Sequence, residues 1–395
     1  MGKKSRIAYL IPVCFLFILV GIGGLNAKAV LPLVEEKLAL DEGYLKEGGS
    51  QLEEDYRTSF WKQREWVNLY GMIQNAMGKR LSGNMRFIRT DSGLMDYVTK
   101  ESDVYPFAEE MLELKQVLDE KGVPLLYVQM PVREPEESSE PDILIRTRTY
   151  YSQIREITDA AGILCMDEEE ILEGEEAPSR DEFYFKTDVH TTTQGEIWMA
   201  NKIAEKLESE YRVAILDVIQ EEDERFEIHS HPFAGNLVQS LGVYYVGIDE
   251  FEEYIPKEQP TYHLEDVFGG WYADGKYEEV IMNGYDQSSE DETYTYWITN
   301  YLRYGVGGYH VENLDSDGPS LLVICDSLCY RTLSYLSLEC KNITVIDPRF
   351  IPADGTDYVK KALEDKMYDA AIYLHGTFYT TDHSMFGQWS LQEDN

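Results

Sequence analysis

The sequence predicts an α/β fold: a parallel sheet covered by helices on both faces. Two observations carry that expectation. Apolar runs of strand length, such as PLLYVQMP, SLLVICD and AAIYLHG, recur along the chain, and segments of helical periodicity separate them. With 395 residues, 43% of them hydrophobic, the chain is also long enough for one large core with an appendage.

Taken in order, Lys3, Lys4 and Arg6 precede an uncharged run from Ile7 to Leu25, long enough at helical rise to cross a hydrocarbon core. The basic flank favours a cytoplasmic start, with everything after Ala27 outside. Residues 1–30 are therefore expected to be a single-pass membrane anchor. A cleaved signal segment ending at Ala27-Lys28-Ala29 is the alternative, although the apolar run exceeds the usual length for one. Both readings put the rest of the chain outside the cytoplasm, either held at the cell membrane or secreted.

Residues 31–100 read as a helical lead-in, because Tyr56, Phe60, Trp66 and Leu69 fall at spacings that suit one face of a helix. Residues 101–395 read as the α/β domain. There, a helical pattern over Asp103 to Gly122 runs into PLLYVQMP, an uninterrupted apolar strand of the kind buried on both faces. A helix near Tyr151 to Ala161 precedes GILCMD, and another runs from Thr192 to Glu208. The rhythm returns as strand SLLVICD, helix CYRTLSYLS, strand NITVID, helix YVKKALED and strand AAIYLHG. Between about residues 219 and 318 it is lost among Gly, Tyr and acidic residues, with alternating runs such as LGVYYVGID, so an insertion of β-hairpins and loops is expected.

Charge narrows the function. With 73 Asp+Glu against 35 Lys+Arg the formal net charge is −38, and no cationic stripe follows the first few residues, so nucleic acid is excluded as a partner. The acidity is spread over many segments, as expected of a solvated surface. The 29 tyrosines would suit stacking on sugar rings, though core packing explains them equally well. Five cysteines without a CxxC pair indicate neither a disulfide framework nor a zinc knuckle.

Three residues point to chemistry. SLLVICD ends at Asp326-Ser327 and turns at once into a helical segment, the place where an open α/β sheet puts its ligand crevice. Ser327 would present its hydroxyl there, beside first-turn amides able to stabilise an oxyanion. The plain alternative is a helix cap. His190, in YFKTDVHTTTQGEIW, has Asp188 two residues before it as an orienting carboxylate. Here too capping by Asp188 and the threonine run, with a surface histidine, is the competing reading.

The other candidates read as structure. His229-Ser230-His231 lacks companion ligands and suggests a polar loop, and Asp315-Ser316-Asp317-Gly318 a turn. Gly305, Gly307 and Gly308 suggest a tight loop, and Asn342-Ile343-Thr344 fits a glycan sequon. Arg133 reads as a surface cation beside Glu134 and Glu136, and Arg349 as half of a salt bridge. No metal or cofactor is called for.

Tyr184 to Thr192 (YFKTDVHTT), ICDSLCYRTLSYL and ITVIDPRF together resemble the AlgX/AlgJ and DHHW group of SGNH-hydrolase-like proteins. In that group a D-x-H segment precedes the serine turn, the reverse of ordinary GDSL esterases, on a permuted flavodoxin-like sheet. The likeness extends to YVQMPVR at Tyr127 to Arg133 and to FAGNLVQSLGVYYVGIDEFEEYIP at Phe233 to Pro256. It implies Ser327 as nucleophile, His190 as general base and then acid, Asp188 as orienting carboxylate, and an oxyanion hole from the Ser327 amide and a neighbouring one. It further implies an acetyl group taken from a membrane donor of the MBOAT type and passed to a polysaccharide hydroxyl through an acetyl-serine intermediate. The chain departs from the pattern at Thr191, where the group has Trp, at Cys325, where it has a small residue, and at Tyr309, where a Y-x-x-G-G-N segment would place Asn.

Three functions compete on this reading: an extracytoplasmic O-acetyltransferase of a cell-surface or exported polysaccharide, an esterase using the same triad with water as acceptor, and a non-catalytic glycan-binding or assembly protein that keeps the fold.

Overall fold

A computed structural model describes residues 16–17, 20–28, 30–32, 34–35, 60–83, 85–98, 103–133, 146–215, 223–282, 289, 291–303, 305–352 and 357–376. The expected anchor, Ile7 to Leu25, lies mostly outside them, and no helix among the described residues is long and apolar enough to cross a membrane.

The lead-in is helical over Gln63–Ala76. It then forms three short antiparallel strands, β1 (Leu81–Ser82), β2 (Phe87–Arg89) and β3 (Met95–Tyr97), which the expectation of a wholly helical lead-in missed. Strands of two or three residues are too short to show an alternating pattern.

The remaining strands are β4 (Leu125–Gln129), β5 (Leu164–Met166), β6 (Phe226–Phe233), β7 (Asp249–Pro256), β8 (Thr261–Asp266), β9 (Tyr272–Lys276), β10 (Gly308–Asn313), β11 (Ser320–Cys325), β12 (Asn342–Ile346) and β13 (Ala370–His375). Eight of them form one sheet in the order β5-β4-β13-β11-β12-β10-β8-β9. The first five run parallel, as expected from their predominantly apolar sequences. The last three pair antiparallel, so the sheet is mixed rather than purely parallel.

Helices cover both faces. Leu126, Val128, Val323 and Leu374 pack toward the helices Thr193–Tyr211 and Tyr330–Leu336. Their neighbours Leu125, Tyr127, Ile324 and Tyr373 pack toward the helices Tyr105–Lys121, Thr147–Ala160 and Tyr358–Asp365. Adjacent residues of each strand thus serve opposite cores, the arrangement that period-2 side chains require.

The stretch 219–318 is not simply an inserted set of hairpins. β6 and β7 do form a separate two-stranded ladder, but β8, β9 and β10 extend the main sheet. β9 alternates between exposed and half-buried residues, and β8 keeps only every second residue buried, which reads as a surface hairpin in sequence. The run LGVYYVGID is also not a strand throughout: Val243–Val246 is a helical turn before β7 begins at Asp249.

Candidate active site

Asp188 and His190 are brought together by a loop that closes on itself. A bridge between Tyr184 and Thr191 pins its two ends, and Thr192 caps the helix Thr193–Tyr211 by accepting from the Gly195 amide at 3.1 Å. Capping is therefore real, but it falls to Thr192 and leaves Asp188 for the histidine. His190 Nδ1 lies 2.6 Å from Asp188 Oδ1, which also accepts from the His190 amide at 3.1 Å. With the Nδ1 proton committed to the carboxylate, neutral His190 carries its free lone pair on Nε2. Nε2 is buried and has no hydrogen-bond partner.

The other oxygen of Asp188 accepts from the Asn236 amide at 2.7 Å. Only glycine fits before Asn236: a Cβ on Gly235 would come within 2.5 Å of both Asp188 Cβ and Thr187 O. Asp188 is fully buried, and burial by itself pushes its carboxyl up. The charge and hydrogen bond of His190, with the Asn236 and His190 amides, outweigh that and hold it below the ordinary carboxylate value.

Arg133 corrects its expected role. Rather than a surface cation, it is 4% exposed and donates to the carbonyls of Met95, Phe185 and Asp188 at 3.3 Å each, and to that of Val189. Its guanidinium lies 4.2 Å over the Tyr184 ring. One side chain thus ties β3 to the start and to the middle of the Asp188–His190 loop.

Ser327 follows β11 directly, at the carboxyl end of the strand that sits between β13 and β12, where the crevice was expected. It is half-buried and opens a single tight turn, Ser327–Cys329. Asp326 is the cap of that turn: its Oδ1 accepts from Leu328 N and its Oδ2 from Gly376 N, both at 2.7 Å. Burial pushes the Asp326 carboxyl up to about 6, with Arg349 pulling against it. The side chain of Ser327 is not used as a cap; its Oγ accepts from Arg349 Nη1 at 3.2 Å.

The serine turn and the histidine loop meet through a buried polar knot. Arg331, in the helix after Ser327, donates to Thr193 Oγ1 at 3.2 Å and to the Thr191 carbonyl, and pairs with Glu196 at 3.4 Å. Glu196 also accepts from Thr332 N at 3.0 Å and from the Thr191 and Thr332 hydroxyls. Thr191, where the resemblance would place a tryptophan, is therefore part of what docks the helix that follows Ser327. No hydrogen bond joins His190 Nε2 to Ser327 Oγ, a contact that is often loose before substrate closes a site.

The motifs read as structure turn out as follows. His229 and His231 lie on β6, a strand rather than a loop, and His231 sits between Glu253 and Glu292. Asn342 and Thr344 are buried in β12, so the sequon is inside the sheet. Tyr309 is buried in β10 with its hydroxyl accepting from Arg303 N at 3.2 Å.

Comparison with known proteins agrees with this fold. Residues 95–284 match the family described as SGNH hydrolase-like domain, acetyltransferase AlgX. That span, a little under half of the chain, is similar to an AlgX-type SGNH hydrolase-like domain. The match takes in Asp188 and His190 and stops before Ser327. Among solved structures, PatB1 of Bacillus cereus is similar with a TM-score of 0.55 at 14% identity, over 76% of this chain and 99% of its own. The same protein with a sulfonyl adduct gives 0.55 at 14%, over 76% and 97%. A DHHW family protein from Eubacterium siraeum gives 0.54 at 15%, over 76% and 94%. At such identities the likeness is one of fold. No curated protein matches the sequence.

Proposed function

We propose that the protein is an extracytoplasmic O-acetyltransferase acting on a cell-surface or exported polysaccharide, with Ser327 as nucleophile, His190 as general base and acid, and Asp188 as orienting carboxylate. The observation that carries this reading is the buried Asp188–His190 pair, with its open Nε2, docked by Arg331 against the segment that presents Ser327. In the first half-reaction Ser327 Oγ passes its proton to His190 Nε2 as it bonds to the acetyl carbon, and the donor's oxygen leaves with that proton. In the second, a glycan hydroxyl gives its proton to His190 and attacks the acetyl-serine, which releases Ser327. The first half-reaction needs an acetyl donor on the outer side of the membrane, the role of an MBOAT-type partner, with the segment at residues 1–30 holding the chain beside it.

Solvent access at half-buried Ser327 favours a second reading in which water is the acceptor and the protein is a glycan esterase. The missing His190–Ser327 hydrogen bond favours a third, a glycan-binding protein without turnover.

The test is the intact mass of the full chain after exposure to p-nitrophenyl acetate, beside Ser327→Ala and His190→Ala. A gain of one acetyl, or turnover, that both variants lose supports the triad; adding an oligosaccharide then separates transfer from hydrolysis. A folded wild type that neither gains acetyl nor turns over the ester leaves the binding reading.

A further inference from the structure

Apart from the three proposed catalytic residues, one cation among the described residues, Arg349, reaches Ser327 Oγ. Arg349 lies in the turn after β12, the strand beside β11. The expected salt bridge is there: Nε meets Asp347 Oδ1 at 2.9 Å and Nη2 meets Oδ2 at 2.5 Å. Asp347 is fully buried and is steadied by the Tyr330 hydroxyl, which donates to Oδ2 at 2.7 Å. The third arm of the fork, Nη1, is the one that donates to Ser327 Oγ. A lysine could not hold both carboxylate oxygens and still reach the serine.

Two groups near the expected oxyanion site are meanwhile engaged elsewhere. The Leu328 amide, next to Ser327, is bonded to Asp326 Oδ1. The position where the group has Asn holds Tyr309, whose hydroxyl is bonded to the Arg303 amide. Arg349 Nη1, by contrast, is aimed at Ser327 Oγ.

We propose that Arg349 is a fourth catalytic residue, a fixed guanidinium that orients Ser327 and stabilises the negative charge formed during acyl transfer. The proposal rests on the acetyl-serine reading above. A serine oxygen has one hydrogen and two lone pairs, and an arginine can only donate. Its bond must take a lone pair, which leaves the O–H free to turn toward His190 Nε2. As that proton moves to Nε2 and the new Oγ–C bond forms, the carbonyl's π pair shifts to its oxygen. Arg349 is within reach of the charge at that moment, when a preorganised cation contributes most. When the tetrahedral species collapses, the leaving oxygen takes the proton from His190, and Arg349 neither gains nor loses one.

The experiment measures second-order labelling by phenylmethylsulfonyl fluoride and acetylation by p-nitrophenyl acetate on the full chain, for wild type, Arg349→Lys, Arg349→Met and Ser327→Ala. Arg349→Met is expected to slow both reactions by roughly 100-fold, mainly in kcat, and Arg349→Lys by about 10-fold. Methylguanidinium added to Arg349→Met should restore part of the rate, which a purely structural arginine would not predict. If Arg349→Met fails a thermal-melt check of folding, Arg349→Lys alone decides. A wild-type rate in a folded Arg349 variant overturns the proposal and leaves the triad standing. A wild type that neither reagent modifies overturns the triad reading, and this proposal falls with it.

Discussion

The chain twice places an acidic residue two positions before a histidine, and the two pairs behave differently. In Asp188-x-His190 the side chains are 0% and 10% exposed, the bond is to Nδ1 at 2.6 Å, and both carboxylate oxygens are engaged by main-chain amides as well. In Glu227-x-His229 the exposures are 67% and 45%, and the carboxylate meets Nε2 at 2.9 Å. The second pair lies on β6, where residues two apart share a face, so its contact follows from strand geometry. Spacing creates the pair in both cases. What separates a proposed base from a solvated ion pair is burial and which ring nitrogen is taken: Nε2 is left unpartnered at His190, whereas at His229 Glu227 occupies it.

The largest expected effect tests that distinction directly. Asp188→Asn should slow acetylation by p-nitrophenyl acetate by about 10⁴-fold, as when the carboxylate behind a catalytic histidine is removed, whereas Glu227→Gln should leave the rate within about twofold. Equal effects would erase the contrast. Next, Arg133→Met should cost about 3 kcal/mol in a urea titration, because it strips a buried cation from four carbonyls, two of them at Asp188 and Val189. Arg225→Met, beside the second pair at 48% exposure, should cost under about 0.5 kcal/mol.

Acid sharpens the contrast between buried and exposed histidines. Burial pushes both His375 and His310 down to about 4. Between the ordinary histidine value of 6.5 and about 4 the unfolded chain binds protons that the folded chain refuses, so stability is full above 6.5 and falls as the pH drops through that window. The loss is on the order of 3 kcal/mol for a fully buried group such as His375, and His375→Phe, within its cluster of Phe107, Tyr127 and Tyr373, should remove roughly half of the acid sensitivity. The smallest effect belongs to His229, whose pKa is raised chiefly by its hydrogen bond to Glu227. Its contribution is present at low pH and fades as pH rises through the raised value. In Glu227→Gln the NMR titration midpoint of His229 should fall while the melting temperature stays put.

The five parallel strands were legible because apolar residues dominate each of them, and PLLYVQMP and SLLVICD fall where β4 and β11 lie. β8, β9 and β10 were not, since β8 and β9 are half-exposed strands joined to the sheet through β10, which lies far along the chain. At the site, Asp188, His190 and Ser327 could be read from local context and from the resemblance. Arg133, Glu196 and Arg331 could not: nothing near them in sequence signals that a charge will be buried, because their partners come from other segments. Arg349 was seen only as a salt bridge, since its contact with Ser327 depends on β11 and β12 lying side by side.

The strand order also has a consequence for how the chain reaches this state. β13, the last strand described, lies between β4 and β11, so those two are joined only through a segment made long after either of them. Until Ala370–His375 inserts, the parallel layer is two separate halves, one carrying β4 and β5 and the other β11 and β12. Such late, long-range closure makes for slow folding. It also means that a chain cut short before residue 370 would hold His190, Ser327 and Arg349, yet lack the strand and the Gly376 amide that set the serine turn in place.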